Sequence, residues 1–147
     1  MLRKVLILLV VAVVCAMVVG LFSPTSDRSK VYVGGKYFSV EVADTDASRA
    51  RGLSGHDPLG SSEGMFFIFE KLDKHEFWMK NMTFPIDIIW IDTDFKITHI
   101  EKSVSPDTYP KTFYPNTPSL YVLEISAGQS EQLGLKISDT LVFAKSK

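Results

Sequence analysis

Residues 75 to 87, His75-Glu76-Phe77-Trp78-Met79-Lys80-Asn81-Met82-Thr83-Phe84-Pro85-Ile86-Asp87, set charged side chains among aromatics and methionines. The apolar members favour burial, and the charged ones resist it unless they are paired or open onto a cleft. Lys80 and Asp87 can therefore form an ion pair that fixes a corner, or stand at the mouth of a cleft and orient a polar ligand. Trp78, on the strand face of Lys80, can present its ring to a sugar or a cation, whereas Trp90, Phe77 and Tyr121 read as core. Glu124 interrupts the apolar run Tyr121-Val122-Leu123-Glu124-Ile125, and Asp87 interrupts Ile86 to Ile91. Two carboxyl groups in strands that otherwise want apolar residues are the equipment of acid–base hydrolysis, because burial raises a carboxyl pKa enough to make it an acid. The structural alternative pairs them with Arg51 or Lys80. Arg51, Trp78, Lys80, Asp87 and Glu124 are thus the candidate ligand-binding residues, with Asp87 and Glu124 the candidate catalytic pair.

Other chemistries lack their residues. Cys15 is the one cysteine and lies in an apolar run, so the rest of the chain has neither a disulfide nor a thiol nucleophile. His56, His75 and His99 show no i, i+2 or i, i+4 spacing. Met65, Met79 and Met82 with His75 would suit Cu(I), a soft ion, but methionine in apolar runs is ordinarily core filler. No metal and no cofactor are expected. There is no Gly-x-Ser-x-Gly setting and no phosphate-binding glycine loop. Asn81-Met82-Thr83 is a glycosylation sequon, a match too short to weigh. With Arg3 and Lys4 set aside, 14 basic side chains face 17 acidic ones, and no basic stripe appears, so nucleic acid is not an expected partner.

The elements that must hold these residues read mainly as short strands. Val31 to Val33, Gly34-Gly35 and Lys36 to Ala43 predict a hairpin, since a two-residue turn needs positive φ angles. Asp44 or Thr45 can cap a helix over Asp46 to Arg51, ended by Gly52. Strands follow at Met65 to Phe69, His75 to Lys80, Ile86 to Asp92, Lys96 to Glu101, Leu120 to Ile125 and Ile137 to Ala144. A Pro-rich loop runs from Ser103 to Pro118, and Ser126 with Gln129 has the capping-box spacing of a second helix ending at Gly134. A turn over Asn81 to Pro85 would place Phe77 opposite Ile89 and Trp78 opposite Ile88. Strand spacing and turn chemistry predict a compact, mostly β domain, an antiparallel sandwich or barrel with two short helices.

The N-terminus differs. Arg3 and Lys4 precede an uncharged run from Val5 to Phe22, roughly 27 Å long as a helix, against a bilayer core of about 30 Å. Residues 1–22 are read as an N-terminal transmembrane or signal helix, favoured as an uncleaved anchor, and residues 23–30 as a linker. The basic start keeps the N-terminus cytoplasmic. Residues 31–147 then form an extracytoplasmic domain, membrane-anchored through residues 5–22, or secreted if the segment is cleaved.

Arg51-Gly52-Leu53, Glu63-Gly64-Met65-Phe66-Phe67-Ile68-Phe69, Phe77-Trp78-Met79-Lys80-Asn81, Pro85-Ile86-Asp87-Ile88-Ile89-Trp90-Ile91-Asp92 and Tyr121-Val122-Leu123-Glu124-Ile125 with Ala127-Gly128 come in a fixed order. In this the chain resembles the domain of unknown function 192 family, over about Val31 to Ala144. Ser54, His56 and Met82 depart from residues many members carry at those places. The resemblance implies a β domain of jelly-roll type, often exported behind a signal or anchor, and no particular activity. Three functions stay open: a membrane-tethered module binding a polar ligand or envelope component without catalysis, a hydrolase of envelope polymers using Asp87 and Glu124, and a structural interaction domain of a membrane assembly.

Overall fold

In the computed structural model, which describes residues 28 to 146, a seven-stranded sheet is the frame of the molecule. The hairpin β1 (Ser29–Val33) and β2 (Lys36–Ala43) turns on Gly34 and Gly35, both at positive φ, as the dipeptide predicts. Helix α1 (Asp46–Arg51) starts at Thr45, whose side chain and Ser48 form a reciprocal capping box, and stops at Gly52. Next come β3 (Glu63–Asp73), β4 (Phe77–Trp78), β5 (Ile86–Ile91), β6 (Ile97–Val104), β7 (Thr112–Phe113), β8 (Ser119–Ser126), helix α2 (Gln129–Gln132) and β9 (Val142–Ala144).

Strand order in the large sheet is β6-β5-β8-β3-β2-β1-β9, with β4 and β7 forming a separate two-stranded ribbon. All pairs are antiparallel except β2 with β3. A parallel pair needs a crossover of about a dozen residues or more, which α1 and the loop after it supply. The expectation of an all-antiparallel arrangement is corrected on this point. An isolated bridge between Lys96 and Thr140 joins the chain just before β6 to the chain just before β9, strands at opposite edges, so the sheet curls upon itself.

Both faces of the central strands are buried. Phe66, Ile89, Ile91, Leu123 and Ile125 pack in one cluster with residues of β1 and β2. Met65, Phe67, Ile88, Trp90 and Val122 pack in the other, under Leu53, Met79 and Phe113. The sequence alternates between the two clusters residue by residue, as a strand of period two must.

The predicted hairpin between residues 75–80 and 86–92 does not form. Phe77 pairs with Phe113 and Trp78 with Thr112, while β5 is flanked by β6 and β8. All six residues of β5 are buried, so it takes a central place with both edges occupied. The intervening Met79 and Phe84 fill the second cluster instead of making a turn. The second helix is also capped differently. Its N-cap is Gly128 rather than Ser126, whose hydroxyl donates to the carbonyls of Leu59 and Gly60. The predicted strand from Ile137 shortens to Val142–Ala144, after a turn in which the Asp139 carboxylate accepts from the Lys136 N–H. The predicted membrane segment, residues 5–22, lies outside the described residues; among those described, no helix is long and apolar enough to cross a membrane.

Candidate functional site

Glu124 sits in the middle of β8, in register with Met65 on one side and Ile88 on the other. Alternation puts it on the face of Val122, Phe67 and Trp90, where it is only 4% exposed. Its Oε2 has no hydrogen-bond partner. Burial pushes the carboxyl up from 4.5 to about 8, so it holds its proton at neutral pH. An unpartnered buried carboxyl costs free energy unless something satisfies it.

A cavity of about 270 Å³ opens on this carboxyl. One wall is the C-terminal end of α1 and its continuation, Arg49 to Ser54. Another is Phe67 and Phe69, which share one face of β3 and reach the cavity together. A third is Glu76, Phe77 and Trp78, with Met82 beyond. Phe77 stands edge-on to Phe67 and to Trp90, at 4.9 and 5.8 Å between ring centres, which fixes its orientation. Trp78 lies at the mouth, 48% exposed, and the Lys80 ammonium stands 5.7 Å from its ring centre. Trp90 is sealed in the core and donates its indole N–H to the His75 carbonyl at 2.9 Å.

The rim cations are already held. Arg51 donates to Glu41 at 2.9 Å, and Glu41 also meets His56 Nε2 at 3.4 Å. Arg49 donates to the Ile68 carbonyl and to Asp46, with its guanidinium over the Phe69 ring. The structure thus brings Arg51, Trp78 and Glu124 to one cavity, with Lys80 beside Trp78. Neither Arg51 nor Lys80 pairs with Glu124 or Asp87 among the described residues.

Asp87 lies elsewhere. Its side chain is on the opposite face of the sheet from Glu124, since Asp87 alternates with Ile86 and Ile88 of the second cluster. Its Oδ1 accepts from the backbone N–H groups of Ser103 at 2.7 Å and Gly128 at 3.0 Å, and its Oδ2 from Ser130 at 2.8 Å. Asp87 is therefore the cap of α2, supplied from a strand about forty residues upstream. It ties β5, the end of β6 and α2 together. With the sheet between them, Asp87 and Glu124 do not flank a shared substrate, and the paired-carboxylate hydrolysis that the sequence left open as an alternative has no geometry here.

The three histidines are dispersed: His56 meets Glu41, His75 stacks on Phe69 at 3.5 Å, and His99 meets Glu101. Met65 and Met79 are buried in the second cluster, and Met82 packs against it. Sequence reasoning passed over Phe67, Phe69, Glu76 and Met82 as cavity residues. The i, i+2 spacing of Phe67 and Phe69 gave their common face, but not that this face is left partly uncovered.

Compared with known proteins, the chain matches the domain of unknown function 192 family, described as "Uncharacterized ACR", over residues 29–143. It belongs to that family. A crystal structure of a protein of unknown function from Novosphingobium aromaticivorans is 33% identical, covering 81% of this chain and 89% of that one, with a TM-score of 0.72. A Sinorhizobium meliloti protein, named a "putative transcription regulator", is 28% identical, covering 79% of this chain and 92% of that one, also with a TM-score of 0.72. None of the curated proteins compared with the chain matches it.

Proposed function

We propose that this family member is a ligand-binding β module, tethered to a membrane through residues 5–22 with its domain outside the cytoplasm, and that it does no covalent chemistry on its ligand. The observation that carries the reading is the unpartnered Glu124 carboxyl at the floor of an aromatic-walled cavity. A pocket that is mostly apolar, with one convergent polar group of perturbed pKa, is the usual form of a small-ligand site. The curled sheet with bridged edges supports the finer reading of its fold as a jelly-roll-type barrel.

The test is a thermal-shift screen of the full chain in detergent against glycans, metal salts and short peptides. A stabilising compound should lose its effect with Trp78→Ala and keep it with Lys30→Ala, an exposed change on β1. A screen without hits, or a hit indifferent to Trp78, overturns the reading. Protease added outside intact cells should remove the domain if the tether is oriented as proposed.

A second reading, an interaction domain of a membrane assembly, draws support from the β2-β1-β9 side of the sheet. There Tyr37, Tyr32 and Val142 are cross-strand neighbours and all exposed. It predicts that Tyr37→Ser abolishes a defined oligomer or complex while leaving the cavity's ligand response unchanged.

A further inference from the structure

We propose that the cavity takes an organic cation, an ammonium or guanidinium group, with its charge against the Glu124 carboxyl and its body between Trp78 and Phe77. This rests on the ligand-binding reading above and names the ligand's chemical class. The argument is a balance of charges around the cavity. The ionisable side chains lining it are Arg49 and Arg51 from α1, Glu76 from the segment before β4, and Glu124 itself. Arg49 is engaged by Asp46 and the Ile68 carbonyl, and Arg51 by Glu41. Glu124 faces Met65 on β3 and Ile88 on β5, neither of which carries charge. Lys80, which is not among the lining residues, stands 5.7 Å from the Trp78 ring centre. Among the described residues, the lining groups without an ion-pair partner are thus the two acids, Glu76 and Glu124.

The walls reinforce that sign. The faces of Trp78 and Phe77 carry negative π density, which attracts a cation and repels an anion, whereas the Phe69 ring is already engaged by His75 and Arg49. A neutral ligand would offer Glu124 a hydrogen bond, but only a cation offers the charge that a buried carboxylate needs in order to ionise. At about 270 Å³ the cavity exceeds the roughly 150 Å³ that holds benzene and falls short of the larger drug-sized sites. An alkyl chain with one charged head is of suitable size. Because burial keeps the Glu124 carboxyl protonated up to about pH 8, entry of the cation should expel that proton to solvent.

Titration calorimetry on the full chain in detergent tests this with n-butylguanidinium chloride, its neutral counterpart n-butylurea, and a tripeptide with a central arginine. Each is run in two buffers of different ionisation heat. The guanidinium should bind saturably, release up to about one proton near pH 6.5, and bind up to about tenfold more tightly per pH unit between pH 6 and 8. Glu124→Gln should weaken it by about thirtyfold or more, and Trp78→Ala by about three- to thirtyfold. If Glu124→Gln fails to fold, proton release and the pH slope of the unaltered chain still decide. A tripeptide that binds at least about tenfold more tightly than the free cation identifies a peptide side chain as the source, and equal binding a free small cation; both support the proposal. Equal binding of n-butylurea without proton release overturns the cation and leaves the ligand-binding reading standing. Binding of neither probe, with a hit elsewhere in the thermal-shift screen, does the same. Binding of neither, with no hit there, overturns both.

Discussion

Glu124 and Asp87 look alike in the sequence, acids in apolar strands, and the structure gives them opposite fates. Asp87 has three backbone N–H donors and is satisfied; Glu124 has an oxygen with none. The difference can be measured. Since the Glu124 carboxyl titrates near 8 when folded and near 4.5 when unfolded, the native state holds the extra proton between those values. Its contribution to stability is present below pH 4.5 and lost as pH rises to about 8. Glu124→Gln should therefore flatten that slope and raise stability at pH 8 by on the order of a few kcal/mol, read by denaturant unfolding at several pH values. Asp87→Ala should act the other way. It strands three backbone donors, that of Ser130 fully buried, and should cost about 3–5 kcal/mol at neutral pH, with ligand affinity unchanged because the side chain faces away from the cavity. That the two acids were worth attention was legible from their neighbours. Which one was free was not, because it depends on the cap of a helix forty residues away.

At the scale of elements, the cavity exists because β3, β8 and α1 meet at fixed spacing. Gly64 shows how tight that is: a Cβ there would lie 2.6 Å from the Glu124 carbonyl oxygen on β8. Backbone cannot yield as a side-chain tip can. Gly64→Ala should cost about 1–3 kcal/mol and displace Glu124, so that thermal stability and ligand affinity fall together. Local signals read α1 and the first hairpin from the sequence, since Thr45, Ser48 and the Gly34-Gly35 pair act within a few residues of themselves. The partners of β4 and β5 were not readable that way. A five-residue gap suits a turn, but Phe84 within it and Met79 just before it are more stable in the second core than in solvent, and their burial overrides the local preference.

For the whole molecule, closure of the sheet falls to the last few residues. Leu141 is 2% exposed in the first core, Phe143 stacks on Phe66 at 4.6 Å between ring centres, and β9 covers the free edge of β1. The Leu141 N–H donates to the Phe95 carbonyl at 2.8 Å, and Ile97 donates to the Asp139 carbonyl at 2.9 Å, so the same segment fastens the far edge at β6. Ending the chain after Thr140 would uncover the β1 edge and cut the Leu141–Phe95 tie, while the Asp139 and Thr140 contacts to the chain at β6 remain. A bare β1 edge would then present unpaired backbone groups beside the exposed rings of Tyr32 and Tyr37, the arrangement that recruits a strand from another molecule. The truncated protein should unfold at lower temperature and associate as its concentration rises, seen by light scattering. Leu141→Ala alone should lose about 2–5 kcal/mol through its cavity yet stay unassociated, because β9 still pairs with β1. Equal association of the two variants would mean that lost core packing, rather than an uncovered edge, drives it.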